Sequence, residues 1–401
     1  MVPIVCYHRT SCGKGLERDL AFTAEFRLAA ACCRWPVDEA AKAAVRAAAG
    51  GIDWGRFLAV LARHRIEGLA HNALTRAGVA VPAAPAAALA QSAAAIQRKN
   101  LEFAAEAVRI DRAFAGLPHL FVKGSTLAML AYGTLAHKSA WDIDILVSPD
   151  TLAEAGAILA EMGYVCVQPI EAAQTGTWLR WLKETIWIHP VRGHAVELHS
   201  RLLDNPHLAG EVGLASPRQQ VEVANGMALP TLQSDHLFAY IAVHGAYHGW
   251  SRLKWLADAA ALATAEGVDA AALHDAAERV GAGRCSAAAL VLAQRLIGTD
   301  IDSSLIARLR RDPAVNSLVR TAMWVMDGGP DGSAECDSRG GRMVARKASH
   351  FLLARGWRYR LSELWHKAAF PYTPAYLKVP AWLRPGYTLL RMPWWLFSRR
   401  T

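Results

Sequence analysis

His119-Leu120-Phe121-Val122-Lys123-Gly124-Ser125, followed by Trp141-Asp142-Ile143-Asp144-Ile145-Leu146-Val147, is the stretch that decides the fold. The first apolar run is short and ends at Lys123-Gly124, so it reads as a strand. Ser125 to Tyr132 then reads as a helix, stopped by Gly133. Ile143 to Val147 forms a second strand, with Asp142 and Asp144 two residues apart. Strand side chains alternate, so both carboxylates project from one face, roughly 6–7 Å apart, while Ile143 and Ile145 point into the core. Two carboxylates on one face repel each other unless a cation lies between them, and a divalent metal is the usual solution.

Ser148-Pro149-Asp150 has the residues of a helix start, with Ser148 as N-cap and Pro149 at the first helical position. That helix should run to about Met162 and stop at Gly163. Tyr164 to Val167, Thr185 to His189 and Ala195 to His199 are further strands. In the last of these, Val196 and Leu198 face inward, while Glu197 and His199 share the opposite face. If this strand neighbours the Asp strand, Glu197 supplies the third carboxylate of a two-metal site. Gly124-Ser125 closes a strand and opens a helix. Free backbone N–H groups and a hydroxyl there suit a phosphate, and Lys123 adds a charge.

On both sides of this segment the pattern is helical, from about Ala21 to Val108 and again after Pro230, with Ser234 as the expected N-cap. The expected class is therefore α+β: a mixed-sheet core over residues 109–215, an N-terminal helical segment over 1–108, a C-terminal helical domain over 216–330, and a linker with a basic aromatic tail over 331–401. His244 and His248 lie one helical turn apart on one face. Three readings fit them: packing against Tyr240 and Trp255, contact with substrate phosphates beside Arg252, Lys254 and Asp258, or zinc binding. The Glu of a zincin motif is missing and no third ligand is evident.

A hydrophobic fraction of 53% is globular, not disordered. No secretory signal is visible in Met1 to Arg9, and the seven cysteines show no paired spacing, which fits reduced thiols in the cytoplasm. The uncharged run between Arg76 and Arg98 is mostly Ala and is broken by Pro82 and Pro85, so it does not read as a membrane span. Of the net charge of +9, the tail from Arg342 onward carries +11, with twelve basic residues against Glu363 alone. The near-neutral remainder argues against a nucleic-acid surface over the whole protein, and no stable nucleic-acid partner is expected. The tail interleaves Trp357, Trp365, Trp382, Trp394 and Trp395 with Arg, Lys and Pro. Such a pattern suits peripheral contact of residues 355–401 with an anionic membrane. The competing reading, that these Trp residues pack back over the helical domains, is favoured because exposed Trp is costly.

Strand, Gly-Ser, helix, Asp-x-Asp strand and a later acidic strand, in that order, resemble the polymerase-beta-type nucleotidyltransferase superfamily. More closely, Lys123-Gly124-Ser125-Thr126-Leu127-Ala128, Asp142 to Val147, Val196 to His199 and His244 to Asp258 resemble the bacterial uncharacterised nucleotidyltransferase family (NTP-transferase family 5). The resemblance spans roughly residues 25 to 395. It implies transfer of a nucleoside monophosphate from an NTP to a hydroxyl or amine of a small-molecule or peptide acceptor. Asp142, Asp144 and Glu197 would hold two Mg²⁺ ions, and Gly124 and Ser125 would hold phosphates. Trp141, His137-Lys138 and a Glu as third carboxylate depart from the usual family residues at those places. Two other classes stay open: a catalytically silent nucleotide-binding accessory protein, and a membrane-surface scaffold acting through the tail.

Overall fold

A computed structural model describes residues 22–167, 183–329, 332–333 and 340–369. The readings of Met1 to Arg9 and of Trp382, Trp394 and Trp395 lie outside these residues. Five helices open the described chain: α1 (Ala24–Ala31), α2 (Glu39–Ala48), α3 (Trp54–His64), α4 (Glu67–Ala77) and α5 (Ala83–Ala113). Thr23, Asp38 and Asp53 cap the first three, each side chain accepting a backbone N–H from the first turn. Pro82 precedes α5 as its N-cap, so the proline stretch starts a helix and does not interrupt one.

A mixed five-stranded sheet follows in the order β1-β2-β5-β4-β3. Its strands are β1 (His119–Phe121), β2 (Ile143–Val147), β3 (Val165–Cys166), β4 (Glu184–Ile188) and β5 (Ala195–His199). Only β2 and β5 run parallel. Helix α6 (Gly124–Tyr132) joins β1 to β2, and α7 (Leu152–Glu161) joins β2 to β3. The α+β class expected from the sequence is the class found.

Three local details differ from expectation. Helix α7 starts at Leu152, because the Ser148 carbonyl accepts the Thr151 N–H at 3.1 Å and closes a separate turn. Ser234 is the first helical residue of α8 (Ser234–Tyr247), and the cap position is Gln233. The Ser234 hydroxyl accepts from Gln219 at 3.2 Å instead of capping. An antiparallel hairpin of β6 (Arg218–Ala224) and β7 (Met227–Leu232) stands where no strand was expected. Its Val223 and Leu229 are buried in the core beneath the sheet, together with Phe103, Ile145 and Leu198. That core therefore draws on residues beyond position 215.

The remaining helices are α9 (Leu253–Ala263), α10 (Ala270–Arg279), α11 (Gly283–Leu292, continued by one π-turn), α12 (Ser303–Leu309), α13 (Pro313–Met326), α14 (Gly341–Ser349) and α15 (Trp357–Ala369). N-terminal and C-terminal helices share one apolar core that reaches from Phe26 to Tyr359. Arg63 on α3 fastens the two: its buried guanidinium donates to the carbonyls of Val325 (3.1 Å) and Met326 (2.6 Å), near the end of α13. Those carbonyls have no intrahelical partner, so a side chain from the other end of the sequence satisfies them. Trp357 and Trp365 on α15 do not pack back over the helices; they are 69% and 66% exposed. No helix among the described residues is long and apolar enough to cross a membrane.

The loop between α6 and β2 is tightly held. Asn100 on α5 donates to the carbonyls of Leu135 and Lys138, both at 2.5 Å. Gly68 on α4 lets the His137 backbone approach so closely that a Cβ there would lie 2.7 Å from its carbonyl oxygen. Asp258 on α9 takes the Tyr132 hydroxyl at 2.9 Å and the Lys138 ammonium at 3.1 Å, both within the interior. Asp258→Ala would leave Lys138 buried and unpaired. We expect it to destabilise the protein by about 3–5 kcal/mol. Adding Lys138→Met should recover part of that loss, and urea denaturation of the single and double variants checks both.

Candidate active site

The parallel pairing of β2 with β5 sets Asp144 directly beside Glu197 and Ile145 beside Leu198. Because both strands alternate, Ile143, Ile145, Val196 and Leu198 enter the core beneath the sheet. Asp144, Glu197 and His199 converge on the other face, with ligand atoms within 4.8 Å of one another. Asp142 lies at a bend one residue before β2. Gly124, with φ +63°, begins α6 alongside it, and a Cβ there would meet the Asp142 carbonyl oxygen at 3.8 Å. Lys123, Gly124, Ser125 and Asp142 line a narrow cleft together with Phe103 and Leu229. The first N–H groups of α6 have no acceptor within their own helix, which makes this end a place for an anion.

Charges in the site are matched in a chain. Lys123 Nζ lies 2.6 Å from Asp144 Oδ1, and His199 Nε2 lies 3.1 Å from the same oxygen and 3.5 Å from Glu197. The other ring nitrogen of His199 is 3.3 Å from Glu184, which is itself paired with Lys183 at 2.9 Å. Burial alone would raise the Asp144 carboxyl, but Lys123 and His199 outweigh it and hold the group well below the usual carboxylate range. Burial would likewise neutralise His199. Its contacts with Asp144, Glu184 and Glu197 instead push its pKa well above the ordinary value, so it stays cationic at neutral pH. A cationic imidazole has no lone pair to offer, so within this group the carboxylates of Asp144 and Glu197 are the oxygen donors that fit a divalent cation. Asp142 behaves in the opposite sense: burial first, then the neighbouring Asp144, raise its pKa from 3.8 to about 6.

The second expected group lies close by but is arranged differently. His244 and His248 sit with ring centroids 4.6 Å apart, and His248 stacks on Trp255 at 4.8 Å. Burial drives both toward the neutral form, His248 to about 3. Among the described residues no third ligand joins them, and the only group of three or more positioned for a metal is Asp144, Glu197 and His199. Arg252 donates to the Arg63 carbonyl at 3.2 Å, so it helps brace α3. Lys254 is the member of this group that senses Asp142. Burial, then Lys138 and Arg65, lower it to about 7 against the pull of Asp258 and Asp142.

Several residues at the site carry no signal in the sequence around them. Glu184 reaches His199 because β4 pairs with β5 in a register that sets these two opposite. The Glu197-x-His199 alternation hinted at His199 alone. At the rim, the indole of Trp141 carries the Arg65 guanidinium 4.2 Å and the Lys99 ammonium 4.7 Å from its ring centre. Arg65 holds a left-handed φ of 56° at the end of α3, a conformation that costs a non-glycine residue roughly 1 kcal/mol or more.

The raised Asp142 pKa has a measurable sign. Its folded value lies above its unfolded one, so protonation stabilises the metal-free protein below about pH 4, and this is lost as pH rises through about 6. Asp142→Asn removes the penalty. In chelator-containing buffer its stability relative to the wild type should match near pH 4 and exceed it by about 1–3 kcal/mol above pH 7. Denaturation series at the two pH values check this.

Comparison with known proteins agrees with this geometry. A search of curated protein sequences gives no match. A family model described as an uncharacterised nucleotidyltransferase matches residues 50–298, which include α4 to α11, the whole sheet, the hairpin and every residue named above at the carboxylate centre. With more than half of its length matched, from the helices that brace the Asp strand to those that cover it, the chain belongs to the uncharacterised nucleotidyltransferase family.

Proposed function

We propose that this protein transfers a nucleoside monophosphate from an NTP to a hydroxyl or amine of an acceptor. The observation that supports this most is the side-by-side placement of Asp144 and Glu197 across a parallel strand pair, with Asp142 and the Gly124-Ser125 helix start at one end. The acceptor oxygen or nitrogen attacks the α-phosphorus, the bond to the β-phosphate oxygen breaks, and pyrophosphate leaves. Asp142, Asp144 and Glu197 would hold divalent metal, which would supply neutralisation of the phosphate charge and favour the ionised acceptor. Gly124 N–H and the Ser125 hydroxyl bind and orient the terminal phosphates. Glu197, more exposed than Asp144, would bind the metal beside the acceptor and so lower the acceptor's pKa. Lys254 and Lys99 add positive charge on the Asp142 side, where a polyphosphate would lie. The acceptor is a small molecule or a peptide segment.

A second reading, a silent nucleotide-binding relative, has one observation in its favour. Asp144 Oδ1 already accepts from Lys123 and His199, so the site is partly charge-compensated by the protein itself. Turnover separates the two readings. Thermal-shift measurements with each of the four NTPs, with and without Mg²⁺ or Mn²⁺, are followed by pyrophosphate release against candidate acceptors. The enzyme reading expects metal-dependent stabilisation and release; stabilisation without release under any acceptor would favour the silent relative.

Two variants sharpen the test. Asp142→Asn should abolish the Mg²⁺–NTP stabilisation that mass action gives the wild type, without lowering the apo melting point. A destabilised apo variant that still responds normally to Mg²⁺–NTP would overturn the role given to Asp142. Lys254→Met removes a cation that burial already disfavours, so the apo protein should melt at or above the wild-type temperature. Its NTP response should fall about tenfold or more in apparent affinity, in line with the loss of a charge-assisted hydrogen bond.

A further inference from the structure

Helix α15 (Trp357–Ala369) is attached to the body by its polar face. Tyr359, Glu363 and Lys367 are the buried positions, spaced one turn apart. Glu363 accepts from Lys367 at 2.6 Å and from Asn205 at 3.1 Å, and the Tyr359 hydroxyl donates to the His350 carbonyl. The apolar residues point the other way. Trp357, Leu361, Leu364 and Trp365 are exposed by 69%, 57%, 36% and 66%. At 3.6 residues per turn these four fall within an arc of roughly 100°, opposite the buried one. Arg358 flanks that arc on one side and Arg360 on the other, both exposed.

An ordinary surface helix buries its apolar stripe; this one shows that stripe and buries Glu363 and Lys367 instead. Leaving two Trp and two Leu side chains in water forfeits the stabilisation that covering them would give, so the face calls for an apolar contact. We propose that α15 is a docking face for an anionic lipid surface, with Trp357, Leu361, Leu364 and Trp365 entering the headgroup boundary and Arg358 and Arg360 meeting lipid phosphates.

Charge decides among the possible occupants. The only acid on α15 is Glu363, which is buried and paired, so the exposed charges of the helix are all positive. The 32 residues that follow Ala369 contain five Lys or Arg and no acid. Neither that segment nor a second copy of the helix offers negative charge to the two arginines, whereas anionic lipid complements the helix and the following segment together. An aromatic and aliphatic stripe edged by arginine is also the pattern that lies in the plane of a bilayer surface without crossing it.

Sedimentation of the full-length protein with vesicles tests this. Phosphatidylcholine vesicles containing about 30% phosphatidylglycerol, matching the anionic surface the charge pattern calls for, are compared with phosphatidylcholine alone. The wild type should sediment with the first and not the second, and less so as salt is raised. Leu361→Ser with Trp365→Ser should lower partitioning at least tenfold. Arg358→Gln and Arg360→Gln should each lower it about fivefold. All four side chains are exposed, so the variants should keep the wild-type melting temperature, which makes loss of folding visible if it occurs. Absence of wild-type binding to anionic vesicles would overturn the proposal. Unchanged binding by the Leu361→Ser/Trp365→Ser variant would also overturn it, by moving the contact to another segment. A concentration-dependent dimer in light scattering, abolished by that variant and unaccompanied by vesicle binding, would assign the face to a second copy instead.

Discussion

A buried carboxylate held ionised by two cations is the constraint around which the rest of the molecule is arranged. Asp144 sits almost wholly out of water, where an unpaired charge would cost several kcal/mol. It stays charged because Lys123 and His199 both bond to one of its oxygens. Each of these is fixed from elsewhere: Lys123 by the end of β1, His199 by the register of β5 and by Glu184 across the next strand. Glu197 stands beside Asp144 across the strand pair, and Asp142 lines the cleft next to them. A strand slip of one residue between β2 and β5 would turn Glu197 toward the core and dismantle the whole set.

Around this centre the positive groups are divided by what they already hold. Lys138 is committed to Asp258, Lys183 to Glu184 and Lys123 to Asp144. Lys254 and Lys99 are both driven toward the neutral form by burial, so each stands to gain from a polyanion. Asp142, with its raised pKa, is the acidic counterpart of that situation and stands to gain from a cation. Buried groups of opposite charge, distant in sequence but close enough to act on one another, are the kind of arrangement that gathers at functional sites.

What the sequence discloses and what it withholds divide along physical lines. Strand alternation and the Gly124 helix start act over a few residues, so the facing of Asp144, Glu197 and His199 was legible from residue order alone. The partnership of β2 with β5 was a condition left open, because strands more than fifty residues apart declare no register locally. Glu184, Lys99 and Arg65 were hidden for the same reason, each brought in by a long-range contact. The β6–β7 hairpin is a different case. Asn225-Gly226 between alternating apolar residues is a strong short-range turn signal, so this hairpin is encoded locally. The Trp residues of α15 were expected inside on the general cost of exposing them. Their helix turned out to spend its inward face on Glu363 and Lys367.

The clasp of Arg63 onto the end of α13 bears on how the chain is made. Helices α1 to α4 pack on one another and on α5, but Arg63 leaves the ribosome long before the α13 carbonyls that accept from it. At synthesis rates of about 5–20 residues per second, the stretch from Arg63 to Met326 keeps that pairing unmade for on the order of ten to fifty seconds. A ribosome that stops short of Val325 releases a chain whose Arg63 has been buried without the two carbonyls that satisfy it.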